Sequence, residues 1–369
     1  MERRTPIGKS GRPHSVAKRK VRYHQQTLKH LGLIERAGRG VWRLTTEGKD
    51  KLRRIQHGAR MLAFSTDLGL AIWGWGEEAL SLLDLPITLM ISSPPYPLRK
   101  PRSYGNPREE QYVDFICASL EPVVKRLRRG GSIVLNVSND IFEKGKPSRS
   151  LYRERLVLAL HERLGLHKMD EIIWHMPDKA PGPVQWASKQ RYQLNYGYEV
   201  CYWFTNDPLR VLADNRRVLL PHTERHARKI AAGGEQRDAS FADGAYRIHP
   251  GRFGNPTPGR IPRNVLKISH HCAELNAQRA VCRELGLPVH GATFPLALPR
   301  FFVEYLSEPG DLVVDQWGGW GQTAKACEKL GRSWFLADNI HEYLRGAGER
   351  FSRLGVDGFR WGRGFLDAA

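Results

Sequence analysis

The chain has no run of 18 or more apolar residues, which excludes a membrane-spanning helix. Its five cysteines (Cys117, Cys201, Cys272, Cys282 and Cys327) never fall in a Cys-x-x-Cys pair. That argues against a disulfide or zinc framework and for a reduced, cytosolic protein. His270, His271, Cys272 and Cys282 are the nearest approach to a ligand cluster, and no metal is expected from them. The basic start, MERRTPIGKSGRPH, lacks the apolar stretch of a secretory signal. Acidic residues are scarce: 38 Asp+Glu against 58 Lys+Arg give a formal net charge of +20. Such an excess points to a polyanionic partner, nucleic acid before an acidic membrane surface.

What is present is a core. Apolar residues make up 41% of the 369 and include ten tryptophans, enough for one large α/β domain and a smaller one. The charge is concentrated in residues 1–60, which hold 17 Lys+Arg against 4 Asp+Glu. Within that segment, Tyr23 to His30 reads as a helix. Gly38 and Gly40 bracket a turn beside the alternating strand VWRL, and Thr45-Thr46-Glu47 starts a last helix. The pattern resembles a winged-helix domain of the kind appended to restriction and modification proteins. Arg39 and Arg43 are its expected DNA contacts, and a cap that only packs on the rest of the chain is the alternative.

After a bridging stretch, Leu62 to Leu83, strands and helices alternate. The strand Ile87–Ile91 leads into Ser93-Pro94-Pro95-Tyr96 and a basic loop. A helix follows from about Glu109 to Arg128, stopped by Gly130-Gly131. Next come SIVLNV, the helix LYRERLVLALHERLG, DEIIWHM and YEVCYWF. From Asn206 to about Pro262 the pattern fails, and the stretch is rich in Gly, Pro, Arg and His. Periodicity resumes near Thr293 with the helix PLALPRFFVEYLSEPG, the strand LVVD, a glycine turn, the helix QTAKACEKLG and the strand SWFLAD. This alternation predicts a largely parallel sheet covered on both faces.

Two turns carry chemistry. Pro94 and Pro95 fix φ and offer no N–H, so the first strand ends in a rigid bend. In DLVVDQWGGWGQTAKACEKLGRSWFLADN, a strand ends on Asp315 and a glycine turn follows. A helix then begins near Thr323, and a second strand ends on Asp338. That is nucleoside-binding logic: glycines admit the ligand to the backbone and the acid takes ribose hydroxyls. The spacing is not Gly-x-Gly-x-x-Gly and no Lys follows, which disfavours NAD and ATP and favours a cofactor without a pyrophosphate.

Together the two motifs resemble those of the amino-methylating DNA methyltransferases, and their order, catalytic turn before glycine turn, is similar to the beta class. The likeness spans roughly Leu68 to Arg353. HGATFPLALPRFF resembles the family's cofactor motif, and GRIPRNVLKIS and APGPVQWASKQRY look like segments of its cytosine-N4 members. The resemblance implies a Rossmann-like α/β sheet over residues 61–369 that uses S-adenosylmethionine. To this belong the winged-helix-like α+β cap of residues 1–60 and a target-recognition segment at about 206–262. In this reading Ser93 and the Pro94 carbonyl accept hydrogen bonds from the amino group of a base rotated out of duplex DNA, and Tyr96 stacks on that base. Asn136 stands where the family has an acid and cannot take a proton. Phe294, Asp315, Gly318, Gly319, Gly321, Thr323 and Asp338 are the expected cofactor residues. Gln316 and Trp317 depart from the usual Pro-Phe, and Trp320 lies inside the loop. Arg99, Lys100 and Arg102 are further expected DNA contacts.

Ser-Pro-Pro-Tyr leans toward cytosine N4, with adenine N6 as the alternative and an RNA methyltransferase or a catalytically silent DNA-binding relative behind it. The expected setting is the cytoplasm of a prokaryote or phage-infected cell, at the nucleoid. The protein is expected to be a monomer or weak dimer, and a partner restriction endonuclease is left open.

Overall fold

A computed structural model describes residues 53–98, 102 and 105–367, with 4–6, 13–15, 26, 29, 34–38 and 41–44 of the segment before them. In that first segment β1 (Arg4–Pro6) pairs with β2 (Pro13–Ser15), and β3 (Ile34–Gly38) forms an antiparallel hairpin with β4 (Val41–Leu44). The expected glycine-marked hairpin is thus present, while most of the expected Tyr23–His30 helix and all but residues 53–55 of the last helix lie outside the described residues, and those three are not helical.

The main domain opens with β5 (Met61–Ser65), β6 (Gly69–Trp73) and the short helix α1 (Gly76–Ala79). Then come β7 (Ile87–Ser92), α2 (Glu109–Arg126), β8 (Leu127–Val137), α3 (Tyr152–Leu164), β9 (His167–His175) and β10 (Tyr198–Thr205). A peripheral excursion holds α4 (Glu224–Ala231) and the hairpin of β11 (Ala239–Phe241) and β12 (Tyr246–Ile248). The chain returns through β13 (Val265–Lys267), α5 (Ala273–Glu284), α6 (Ala297–Leu306), β14 (Leu312–Asp315) and α7 (Gln322–Leu330). It ends with β15 (Ser333–Asp338), α8 (His341–Arg353) and β16 (Arg360–Trp361).

Among the described residues ten strands share one sheet, in the order β13-β9-β10-β8-β7-β14-β15-β6-β5-β16. The middle five, β8 to β6, are parallel, whereas β10 and β5 run against their neighbours. All six residues of β7 and all four of β14 are buried, as expected of central strands covered on both faces. The period of two along β8 sends Ile133, Leu135 and Val137 to the layer of α2 and α3, and Val134 to the layer of Phe302 and Val303 on α6.

Several sequence expectations need correction. The stretch Leu62 to Leu83 supplies two strands of the sheet and not a bridge, because its strands are short and glycine-punctuated. Gly130-Gly131 does not stop the helix, which gives way to β8 directly after Arg126. Gly130 sits at φ 78°, where the backbone of Arg210 crowds it, so the glycine serves a close crossing within the strand. Residues 206–262 are not patternless, since they hold α4 and a hairpin. The segment from Arg53 also packs on the main domain. Arg53 pairs with Glu342, Ile55 donates to the Asn339 carbonyl, and His57 stacks on Trp75.

Candidate active site

Because β7 pairs in parallel with β14, with Val313 opposite Leu89 and Val314 opposite Met90, the two sequence motifs emerge side by side at one sheet edge. The chain leaves toward β8 on one side and toward β15 on the other, and ligands bind at such a switch point. A direct link joins the motifs: the Ser92 hydroxyl donates to Asp315 Oδ1. The edge opens into a cavity of about 370 Å³ lined by Ser93, Pro94, Pro95 and Tyr96 from the first motif and Trp317 to Trp320 and Asp338 from the second.

In the first motif, Ser93 Oγ lies 2.9 Å from Tyr96 Oη and 3.3 Å from Asn136 Oδ1. Tyr96 Oη is 2.9 Å from Asn136 Oδ1 and 3.0 Å from Glu199 Oε2. Burial, and then the Glu199 carboxylate, hold the Tyr96 phenol well above its ordinary pKa. Asn136, near the end of β8, is buried. Asn106 locks the loop beyond the turn, donating to the Tyr96 carbonyl and accepting from the Arg102 backbone N–H, each at 2.6 Å. Glu199 and Asn106 escaped the sequence reading. YEVCYWF reads only as an apolar strand, and a single Asn in a polar loop carries no signal.

In the second motif, Asp315 does not line the cavity. Its carboxylate accepts from Ser92, from Thr323 Oγ1 at 2.7 Å and from the Trp317 N–H at 3.2 Å, so Asp315 and Thr323 brace the glycine turn from below. Gly321 also lies off the wall, at φ 67° before α7. Gly318, Gly319, Phe294 and Asp338 do line it. Asp338 accepts from the N–H groups of Gly319 and Ile340, both at 2.8 Å. Burial pushes both carboxyls, Asp315 and Asp338, up to about 6. Trp317 and Trp320 join the wall with His290 and Tyr343, and buried Arg350 supports the loop through the Trp320 carbonyl and Gln322 Oε1. Arg54, from the segment before the sheet, also reaches the cavity.

Of the expected DNA contacts, Arg102 is exposed beside Gly291 at the mouth. Arg99, Lys100 and Arg39 lie outside the described residues, as does the side chain of Arg43. Among the described residues no group of three or more His, Cys, Asp or Glu side chains is placed to hold a metal ion.

A catalytic turn and a glycine turn on adjacent parallel strands, opening into one shared cavity, define an enzyme of the methyltransferase class. The family profile described as DNA methylase matches residues 87–349, and the chain belongs to this DNA methylase family. It is accordingly a DNA methyltransferase that uses S-adenosylmethionine. A second profile, the Mrr N-terminal domain, matches residues 1–54. The type II methyltransferase M.PvuII of Proteus hauseri is 31% identical over 291 residues, covering 78% of this chain and 85% of that protein. M.BglII of Bacillus subtilis is 24% identical over 276 residues, covering 73% of this chain and 65% of that one. The solved structure of PvuII DNA methyltransferase (cytosine-N4-specific) superposes with a TM-score of 0.61 at 27% identity, covering 80% of this chain and 90% of the other. Among the described residues no helix is long and apolar enough to cross a membrane.

Proposed function

We propose that this enzyme methylates the N4 amino group of cytosine in duplex DNA, on a base rotated out of the helix. The observation that carries the reading is the Ser93 hydroxyl, set among Tyr96 and Asn136 at the wall of the cavity that the glycine turn shares. An exocyclic amine is a poor nucleophile because its lone pair is delocalised into the ring. Acceptors at Ser93 Oγ and the Pro94 carbonyl draw its hydrogens out of plane and localise that pair, so the rate gain comes from positioning and preorganised dipoles. The Tyr96 ring offers the base a face. S-adenosylmethionine supplies the electrophilic methyl group. The residues present suit it: Asp338 oxygens retain lone pairs for a ribose diol, and Phe294, Trp317 and Trp320 give the adenine apolar walls. At Gly319 (φ 49°) a side chain would meet His290 Nε2 at 3.1 Å, so bare backbone keeps the cradle open. The serine of the turn and the likeness to M.PvuII, whose solved counterpart is described as cytosine-N4-specific, support cytosine over adenine.

Digesting DNA incubated with the enzyme and labelled S-adenosylmethionine, then separating the nucleosides by mass spectrometry, tests this. Label in N4-methylcytosine is the expected result, and label confined to N6-methyladenine overturns the base assignment.

The pH dependence has a definite sign. The Asp338 carboxyl has a folded-state pKa of about 6, above its ordinary 3.8, so acidification protonates the ribose acceptor early. Cofactor affinity, measured by calorimetry, is expected to fall several-fold from about pH 7.5 to about pH 5. Asp338→Asn should bind weakly at both values and lose the slope. Stability moves the other way. The buried charge is relieved in acid, and this contribution is lost as pH rises through about 6.

Residues 1–52 are proposed to grip DNA phosphates as a winged-helix-like module, supported by their charge and by the Mrr N-terminal profile. Removing them, while keeping Arg53 onward on the main domain, is expected to weaken DNA binding. The log affinity against log salt slope should also become shallower by about 0.9 per lost phosphate contact. An unchanged slope in fluorescence anisotropy would make the cap a packing element. The exposed excursion at 206–262, with Arg225, Arg228, Arg247 and Arg252, is proposed to read the target sequence. A cognate endonuclease and a monomeric or weakly dimeric state complete this proposal.

A further inference from the structure

Methyl transfer to an amino group releases a proton, and Asn136, in the position expected of an acid, cannot receive it. The structure places a carboxylate elsewhere. β10 runs antiparallel to β8, with Val200 opposite Val137, so the start of β10 lies at the same sheet edge as the end of β8. Glu199 therefore stands beside the catalytic turn although it is more than 100 residues from Tyr96 in sequence. Its Oε2 meets the Tyr96 hydroxyl at 3.0 Å, while Lys179 Nζ holds Oε1 at 3.3 Å. Its side chain is only 12% exposed.

The cluster of Ser93, Tyr96, Asn136 and Glu199 has more acceptors than protons. Asn136 Nδ2 faces the Val200 carbonyl at 3.5 Å, which turns its Oδ1 toward the two hydroxyls. Four contacts, Ser93–Tyr96, Ser93–Asn136, Tyr96–Asn136 and Tyr96–Glu199, share two hydroxyl protons when Glu199 is ionised. One further proton brings the total to three for the four contacts, filling an open contact instead of disrupting the network.

Resting on the amino-methylation reading above, we propose that Glu199 is the terminal proton acceptor of the reaction, reached through Ser93 and Tyr96, and replaces the carboxylate that Asn136 lacks. The nitrogen lone pair forms the N–C bond as the C–S bond breaks, and that bonding pair goes to sulfur. The surplus N–H proton passes to Ser93 Oγ, the Ser93 proton to Tyr96 Oη, and the Tyr96 proton to Glu199 Oε2. The product amine is neutral, both hydroxyls are restored, and the carboxylic acid returns its proton to solvent between turnovers. Tyr96 is suited to this passage because burial keeps its phenol neutral. Glu199 acts through Tyr96 and is a positioning residue in that sense. The other titratable groups around it are Tyr152, Tyr196, Cys201, His270 and Lys179. Burial raises the two tyrosines and Cys201 and lowers His270, so these four stay uncharged in neutral solution.

The test uses the full-length enzyme with a substrate duplex, comparing Glu199→Gln, Tyr96→Phe and the double variants Glu199→Gln/Asn136→Asp and Tyr96→Phe/Glu199→Gln. Single-turnover transfer by Glu199→Gln is expected to fall about 100-fold, with S-adenosylmethionine and duplex affinities, read by calorimetry and anisotropy, within about twofold of the parent. Asn136→Asp should restore at least about tenfold of the lost rate, because it returns a carboxylate to the same two hydroxyls. Tyr96→Phe breaks the relay while leaving the Glu199 carboxylate and its Lys179 partner in place, and adding Glu199→Gln to it should cost nothing more. An active parent with Glu199→Gln within about threefold of it overturns the relay alone. Additive losses in Tyr96→Phe/Glu199→Gln, or no rescue by Asn136→Asp in a folded protein, overturn it equally. A parent that binds cofactor and DNA yet transfers nothing overturns the amino-methylation reading, and the relay with it.

Discussion

Ser93→Ala is expected to lower the single-turnover rate of methyl transfer about 100-fold or more while leaving S-adenosylmethionine affinity within about twofold. The asymmetry follows from placement. Ser93 Oγ faces Tyr96 and Asn136 on the side of the cavity built by β7 and β8, whereas the proposed cofactor contacts belong to the glycine turn, β15 and Phe294. Removing the hydroxyl takes away one acceptor for the reacting amine and leaves Asn136 Oδ1 short of one donor, but it opens no gap in the opposite wall. Rapid-quench transfer and calorimetry on the same preparation decide the matter. A matching loss of cofactor affinity would place Ser93 in the cofactor site and refute the assignment.

Gly318→Ala should act on the other half. An added methyl would sit 2.6 and 2.7 Å from the two terminal carbons of Leu336, a fully packed residue of β15. Overpacking of this kind costs about 1–3 kcal/mol. Here the strain is relieved most directly by lifting the turn into the cavity. Cofactor affinity is expected to fall at least about tenfold, with a lower melting temperature, while duplex affinity without cofactor is retained. Unchanged cofactor affinity would show that the turn does not approach the ligand.

Structure is legible in this sequence where composition forces geometry. ITLMIS before two prolines and LVVD before three glycines leave few conformations open, so both turns and their strands were legible. Positions that depend on strand direction are not legible in it. Nothing in YEVCYWF says that β10 is antiparallel, and only that direction carries Glu199 to the active edge. Asp315 and Thr323 were legible as part of the glycine motif but not as its internal brace, because burial and partners come from β7 through Ser92. The helix α8 went unread because Gly346 and Gly348 interrupt its pattern. The structure supplies the reason for Gly346, which lies against Cys282 and Trp320, and for Gly348, which lies against Trp361 and Phe64.

The parallel pairing of β7 with β14, cross-linked by Ser92 and Asp315, has one more consequence. The separation between the two turns that carry the reacting partners starts from the backbone spacing between neighbouring strands, roughly 4.8 Å, before any side chain is added. Substitutions that reshape the walls around the incoming base therefore leave the spacing of the two turns untouched. A change of target from one exocyclic amine to another is a matter of contour, and the scaffold can be reassigned to a new base without being rebuilt.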